Sequence, residues 1–115
     1  MNYWLVYAIE NKVNNKKYIG ITNEKHKDMF ARFYQHMDEG EYSPKILRNG
    51  RMHHLHAAIR KYGSENFTCY TLETYLSLYE AQEKEIYWIK EHNTYASGYI
   101  RKGYNISRGG EEPDW

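Results

Sequence analysis

The stretch VYAIENKVNNKKYIG, residues 6–20, decides the fold because it has the pattern of a β-hairpin. Residues 3–9 carry the aromatic and β-branched content of a strand, and residues 16–21 form its partner across the turn-forming pair Asn14 and Asn15. If the loop holds an even number of residues, odd positions of the first strand share a face with even positions of the second. Tyr7 and Tyr18 then lie on one surface, although either tyrosine could be ordinary strand filler.

Length and composition predict one soluble globular domain. The chain has 115 residues, of which 41% are hydrophobic and 27% charged, enough for one modest core. The single cysteine, Cys69, cannot form an internal disulfide, so we expect a reducing, intracellular setting. The start lacks the pattern of a signal peptide, and no stretch approaches the roughly 20 apolar residues of a membrane span. We therefore expect no membrane association.

Charge is unevenly distributed along the chain, although the net charge is only +1. Asp and Glu are absent from residues 42–64 and 92–110, and they gather in residues 73–91 and in the tail. This segregation predicts one basic side that could meet a phosphate backbone, or else chance clustering on a solvated face. The candidate contacts to nucleic acid are Lys45, Arg48, Arg51, His53, His54, Arg60, Lys61, Arg101, Lys102 and Arg108. For the histidines of this segment, a zinc site is the weaker alternative because neither cysteines nor an HExxH pattern accompany them.

The first predicted helix, residues 27–37, places Arg32 and His36 one turn apart and therefore side by side. We expect Gly40 to end the turn that follows. A second helix is expected over residues 54–62, a third strand over 66–75 and a third helix over 78–92. The apolar stripe of the first helix is predicted to contain Met29, Phe33 and Met37, widened by Phe30 and Tyr34.

Glu85 falls in the middle of an apolar stripe on the third predicted helix. A carboxylate buried there without a partner costs several kcal/mol, so it needs a cation, a hydrogen-bond network or a metal. The alternative is a rotated helix, in which Ile86 faces inward and Glu85 pairs with Lys84 or an arginine at the surface.

The order of short motifs resembles the GIY-YIG nuclease family, most closely its phage-type homing endonuclease branch. The motifs are LVY, then YIG after ten residues, R-x3-H, AIRKYG, E-x2-WI and GYN followed by GG, and they span residues 3–110. The family's Gly-Ile-Tyr is here Leu5-Val6-Tyr7, which keeps the tyrosine. Two further departures are longer spacing between Tyr18 and Arg32 and an insertion at residues 95–102.

The resemblance implies cleavage of DNA phosphodiester bonds with one divalent metal ion, Mg²⁺ or Mn²⁺. It implies a small α/β sandwich whose three-stranded, mostly antiparallel sheet is flanked by helices in the order β-β-α-α-β-α. Residues 1–110 would be the nuclease domain and residues 111–115 an acidic tail. Carried over by motif, Glu85 is the metal ligand. The full catalytic set implied is Tyr7, Tyr18, Arg32, His36, Glu85 and Asn105.

Several alternatives stay open on the sequence alone. The chain could be a catalytically silent DNA-binding module on the same scaffold, or a restriction or repair-type nicking nuclease. One site cuts one strand at a time, so a double-strand break would need a transient dimer or sequential nicks. Homing relatives usually carry a separate DNA-binding region after the nuclease domain, which this chain would lack. We expect the protein to act inside a phage-infected or bacterial host cell.

Overall fold

The predicted hairpin forms at the start of the chain. Strands β1 (Trp4–Asn11) and β2 (Lys17–Asn23) pair antiparallel. In the turn, the Asn15 N–H donates to the Asn11 carbonyl over 2.8 Å, and Asn15 adopts a φ of 63°, a left-handed conformation that asparagine tolerates. The sequence signal of paired asparagines therefore located the turn correctly.

The hairpin register puts both tyrosines on one face of the sheet. Ile9 lies opposite Tyr18, and Tyr7 lies opposite Gly20. Since side chains alternate across a strand, Tyr7, Ile9 and Tyr18 point the same way. This confirms the prediction that was conditional on an even loop.

Strand β3 (Phe67–Leu76) completes the sheet on the other edge of β1. The order is β2-β1-β3 and both pairings are antiparallel, which confirms the predicted fold class. The central position of β1 explains its composition, because residues 5–9 are buried on both faces of the sheet.

Helices α1 (Met29–Tyr42) and α2 (His54–Tyr62) cover the tyrosine face of the sheet. The α2 bounds are those predicted, but α1 continues past Gly40, which does not end a turn. A Cβ on Gly40 would come within 2.8 Å of Ile59, so this glycine lets the two helices approach closely. The buried core on this face comprises Leu5, Tyr7, Ile9, Met37, Leu55, Ala58, Ile59, Phe67 and Tyr104.

The predicted widening of the α1 stripe is wrong. Phe30 is 57% and Tyr34 63% exposed, whereas Met29 and Phe33 pack against the core. Helix α1 therefore buries fewer of its hydrophobic residues against the core than the sequence pattern predicts. Apolar content alone did not distinguish the buried from the exposed aromatic positions.

Helix α3 (Leu78–His92) covers the opposite face, with the bounds predicted. It begins with a capping box in which Ser77 and Glu80 bond each other's backbone N–H groups. Ala81 and Ile89 face the sheet, and Ile86 is 45% exposed. The alternative of a rotated helix is therefore wrong. The buried core on this side comprises Val6, Ala8, Ile19, Ile21, Ala81 and Ile89.

The computed structural model describes residues 3–25, 27–96 and 102–110. Arg101 and the predicted acidic tail, residues 111–115, lie outside the described residues. Within the described ranges, no helix combines the length and the apolar character needed to cross a bilayer.

Candidate active site

Tyr7 lies fully buried against the backbone of β2. A Cβ on Gly20 would come within 2.5 Å of the Tyr7 hydroxyl oxygen, so the glycine of the YIG motif makes room for the phenol. Among the described residues, the hydroxyl has no hydrogen-bond partner of good geometry, although the Arg32 side chain is close enough to lower the Tyr7 pKa through a hydrogen bond. A buried hydroxyl without such a partner is costly in a purely structural setting, and it is a common feature of a site that binds something.

The electrostatic surroundings of Tyr7 include two oppositely charged groups. Burial raises the pKa of the Tyr7 phenol, the Arg32 guanidinium partly offsets this, and the Glu85 carboxylate raises the pKa further. Arg32 comes from α1 and Glu85 from α3, on opposite sides of the sheet. Two residues predicted from separate motifs therefore both act electrostatically on Tyr7.

Arg32 and His36 are neighbours on α1, as their spacing predicted. Both are buried, and Arg32 Nη2 lies 3.4 Å from His36 Nε2. Arg32 Nη1 donates to Gln35 Oε1 over 3.0 Å, which fixes one side of the guanidinium. Burial of a guanidinium next to an imidazole gives this part of the site a positive potential.

Tyr18 completes the group from the second strand. Its ring is 5.2 Å from that of His36 and 5.8 Å from that of His53, both in edge-on arrangements. His53 is itself buried and caps α2, accepting the Leu55 N–H at Nδ1. Tyr18 therefore packs against imidazole rings from both helices.

A second histidine from α2, His56, was not among the predicted catalytic residues. His56 Nε2 lies 3.3 Å from His36 Nδ1, and its Nδ1 accepts the Lys45 backbone N–H over 3.0 Å. Glu39 Oε2 lies 3.6 Å from His56 Nε2. The acid-free segment with three histidines signalled this region, but the contact joins two helices across a loop, and spacing along the chain does not reveal it.

The ligand atoms of His36, Glu39 and His56 lie within 4.8 Å of one another, close enough to share one metal ion. Burial lowers the pKa of His56 and places that of His36 well below its usual value, with Arg32 acting in the same direction on His36. Two nitrogens and one oxygen suit Zn²⁺ better than Mg²⁺, which takes oxygen ligands.

Glu85 lies half-buried between Ala81 and Ile89 on α3, as predicted. Its Oε1 accepts the Gly110 N–H over 2.9 Å. A carboxylate oxygen has more than one lone pair, so this contact leaves acceptor capacity on the same group. Glu85 therefore has the chemistry of a hard oxygen ligand next to the Tyr7 and Arg32 pair.

Asn105 clamps the edge strand β2. Its Oδ1 accepts the Ile19 N–H and its Nδ2 donates to the Ile19 carbonyl, both over 2.8 Å. Thr94 Oγ1 also donates to Asn105 Oδ1 over 2.7 Å. The amide thus imitates a paired strand at the residue that follows Tyr18. Its predicted part in catalysis stays a prediction, and Thr94 was not predicted as its partner.

The predicted DNA contacts differ in their surroundings. Most of those described are exposed, whereas His54 is half-buried and His53 is buried. Arg60 Nη1 donates to the Glu41 carbonyl over 3.1 Å at the end of α1. A shallow cavity of about 170 Å³ is lined in part by His54, Lys61 and Lys16. The exposed residues among the predicted contacts are Lys45, Arg48, Arg51, Arg60, Lys61, Lys102 and Arg108.

A sequence model of the GIY-YIG catalytic domain matches residues 3–105, nearly the whole chain. The chain belongs to the GIY-YIG family. The GIY-YIG domain is also similar to solved structures. The catalytic domain of homing endonuclease I-TevI is 29% identical with a TM-score of 0.66, and the match covers 90% of this chain and 98% of that chain.

A mutant of the catalytic domain of intron endonuclease I-TevI is 28% identical with a TM-score of 0.65, and the match covers 93% of this chain and 96% of that chain. Among curated proteins, no sequence matches significantly. The family match and this structural likeness indicate that the GIY-YIG domain described here is a nuclease, and they support DNA as its substrate.

Proposed function

We propose that this GIY-YIG domain is a metal-dependent DNA endonuclease of the homing type, which hydrolyses phosphodiester bonds one strand at a time. The observation that carries the proposal is the electrostatic convergence of Tyr7, Arg32 and Glu85 from three different elements. Phosphodiester hydrolysis needs an activated water, neutralised charge on the phosphate oxygens and a stabilised leaving oxygen. A tyrosine can take the proton of a water, an arginine can neutralise charge on the phosphate oxygens, and a glutamate could hold a metal ion, which would supply positive charge for the leaving oxygen.

Arg32 and His36 are proposed to bind the scissile phosphate. A guanidinium is always charged and can donate two parallel hydrogen bonds to phosphate oxygens. Because Arg32 is buried and tied to Gln35, its geometry is set before the substrate arrives. A charge fixed in this way stabilises the transition state without reorganisation.

Tyr7 is proposed to remove the proton of the attacking water, and Tyr18 and His36 to orient that water or contact the phosphate. The water oxygen attacks phosphorus, its proton passes to the phenolate oxygen, and the bond from phosphorus to the leaving oxygen breaks. Burial raises the pKa of Tyr7, so the base form depends on nearby positive charge, beginning with Arg32. The exchange of roles between Tyr7 and Tyr18 is the alternative assignment.

Glu85 is proposed to hold the metal ion, Mg²⁺ or Mn²⁺. Its half-buried carboxylate beside Tyr7 fits a hard divalent cation, because such ions take oxygen ligands and keep several waters. Such an ion, when bound, supplies positive charge to the phosphate and lowers the pKa of nearby water. The negative charge of the Glu85 carboxylate would attract the ion to this side chain.

One site per chain implies one cut per binding event. A double-strand break then requires a second copy or a second cut, and sequence preference would come from a DNA-binding region beyond the catalytic domain. We propose that residues 1–110 form the catalytic unit and that the domain acts inside a phage-infected or bacterial cell. Lys45, Arg48, Arg51, Arg60, Lys61, Lys102 and Arg108 are proposed to contact the DNA backbone.

A nicking assay on supercoiled plasmid tests the proposed function. We expect the wild type to nick in Mg²⁺ and to stop in EDTA, and Glu85→Gln to lose nicking while still retarding DNA in a gel. Glu91→Gln, an exposed glutamate on the same helix, is the matched control and should cut normally. Wild-type protein that binds DNA without cutting in any divalent metal would favour a silent binding module.

A second assay separates the two tyrosines. We expect Tyr7→Phe to abolish cleavage at every pH, whereas Tyr18→Phe keeps a reduced rate with a similar pH profile. A dead Tyr18→Phe beside an active Tyr7→Phe would reverse the assignment of the general base.

A further inference from the structure

His36 and His56 form a hydrogen-bonded pair with a donor at each end. At one end the Lys45 backbone N–H donates to His56 Nδ1 over 3.0 Å. Between the rings, His56 Nε2 and His36 Nδ1 are 3.3 Å apart. At the other end, Arg32 Nη2 lies 3.4 Å from His36 Nε2. All three of these side chains are buried.

The backbone donor fixes the direction of the pair. A neutral imidazole has one N–H and one lone pair, so His56, which accepts at Nδ1, carries its proton on Nε2. That proton is directed to His36 Nδ1, which then accepts and leaves the proton of His36 on Nε2. Both rings are buried, and burial without a fully paired charge favours the neutral form of an imidazole.

With this assignment, the His36 Nε2–H lies beside the Arg32 Nη2–H, and both groups are donors because an arginine N–H never accepts. His36 Nε2–H and Arg32 Nη2–H therefore suit a shared oxyanion oxygen, and the phosphate of the proposed substrate supplies one. We propose that His56 is a positioning residue that holds His36 in the Nε2–H tautomer, so that His36 and Arg32 donate together to one phosphate oxygen. The phosphate part of this proposal rests on the proposed nuclease function.

The same assignment of ring protons weighs against a metal ion shared by His36, Glu39 and His56. Coordination through His56 Nε2 would need a lone pair there and a proton on Nδ1, where the Lys45 N–H already donates. A different arrangement would have Glu39 accept N–H groups from both rings, and it would place the His36 proton on Nδ1. Glu39 Oε2 is farther from His56 Nε2, at 3.6 Å, than His36 Nδ1 is, at 3.3 Å.

The tautomer can be measured directly, without any activity assay. Nitrogen-15 chemical shifts of the ring nitrogens, recorded by NMR on the full chain at neutral pH, separate protonated from unprotonated positions. We expect His36 to show a protonated Nε2 and an unprotonated Nδ1. A protonated Nδ1 on His36, or stoichiometric Zn²⁺ shifting both rings together, would overturn the proposal whether or not the protein cuts DNA.

Variants of His56 test its part in cleavage. Gln can donate from Nε2 to His36, whereas Leu fills similar space and cannot, so His56→Gln should restore most of the activity that His56→Leu loses. We expect His56→Leu to cut about 10- to 100-fold more slowly in kcat, the range typical for loss of an orienting partner of a histidine. His92→Gln on α3 is the control and should cut normally.

The tautomer assignment and the nuclease function fail separately. If wild-type protein does not cut, the nuclease function fails, while the NMR experiment still decides the tautomer. If wild-type protein cuts and folded His56→Gln is as slow as His56→Leu, the positioning role of His56 is wrong. Thermal unfolding of both variants shows whether either change merely destabilises the α1–α2 contact.

Discussion

At Gly20 the backbone of β2 and the phenol of Tyr7 lie in direct contact. The family motif ends in glycine. In this chain the physical reason is space for the Tyr7 ring, because Gly20 does not adopt the positive φ that would itself favour glycine. Tyr7 is fully buried at this contact, and Arg32 and Glu85 both act on the pKa of its hydroxyl. The two tyrosine motifs are thus one structural unit, in which the second motif makes room for the first.

Gly20→Ala should displace the Tyr7 ring, because the new Cβ would come within 2.5 Å of its hydroxyl oxygen. We expect a loss of about 1–3 kcal/mol in the free energy of unfolding, typical of overpacking, together with a loss of cleavage. Urea unfolding and plasmid nicking measure the two effects.

Gly40→Ala is the matched control for this substitution. Its Cβ would meet Ile59 at 2.8 Å, away from the Tyr7 hydroxyl, so it should destabilise without a specific loss of cleavage in the folded fraction. Equal specific activity in the two folded variants would contradict the role assigned to the contact between Gly20 and Tyr7.

Asn105→Asp should weaken the clamp on β2. The donor to the Ile19 carbonyl becomes a carboxylate oxygen, and two acceptors then face each other in a buried place. An unsatisfied buried polar group costs about 1–3 kcal/mol, more when charged, so we expect a loss of at least that size in urea unfolding. Asn49→Asp keeps its acceptor role to the Arg51 N–H and should be nearly neutral.

The relative position of two side chains was predictable from sequence where both belong to one helix or one hairpin. Arg32 and His36 lie one turn apart on one helix, and Tyr7 and Tyr18 are related by one hairpin. His56 and Glu39 were not predicted as partners of His36, because their meeting depends on how two helices cross. The amide clamp of Asn105 was missed for the same reason, since β2 and the tail meet only through tertiary packing.

At the level of elements, the helices that matched their predicted bounds have strong local signals. Ser77 and Glu80 form a capping box at the start of α3, and Gly63 ends α2. Helix α1 starts later than predicted because Asp28 is its N-cap, accepting the Ala31 N–H. Its end was misjudged because Gly40, a usual stop signal, here serves a helix–helix contact with Ile59.

The buried histidines between α1 and α2 should make the protein sensitive to mild acid. Burial lowers the pKa of His53 to about 3 and also lowers the pKa values of His36 and His56. In the unfolded chain histidines titrate near their ordinary pKa of about 6.5, so below this pH the unfolded state binds more protons. The free energy of unfolding therefore falls as pH decreases, for His53 by up to about 1.4 kcal/mol per pH unit below about pH 6.5, and His36 and His56 act in the same direction.

Urea unfolding from about pH 7.5 to about pH 5 measures this loss, before most carboxylates titrate. We expect the free energy of unfolding of His56→Gln to fall less steeply as pH decreases, because this variant has one titratable histidine fewer. A free energy of unfolding that stays constant over this range would show that the rings are not buried in neutral form.

For the whole molecule, the acid-free segments predict a basic surface for DNA, and two residues of one such segment, His54 and Lys61, line part of a cavity. We expect Lys61→Gln to weaken DNA binding and to reduce the slope of log affinity against log salt by about one phosphate contact. Lys25→Gln, an exposed lysine outside these segments, is the control. Equal salt slopes for the two variants would place Lys61 off the DNA path.

The proposed active site is assembled from both faces of the sheet, and a double-mutant cycle of Arg32→Lys and Glu85→Asp tests this most directly. Both changes keep the charge, so single-turnover cleavage rates should remain measurable. If the two groups act on one phosphate, we expect the double variant to be little slower than the slower single variant. Losses that multiply independently, or a single variant with normal cleavage, would contradict the shared site.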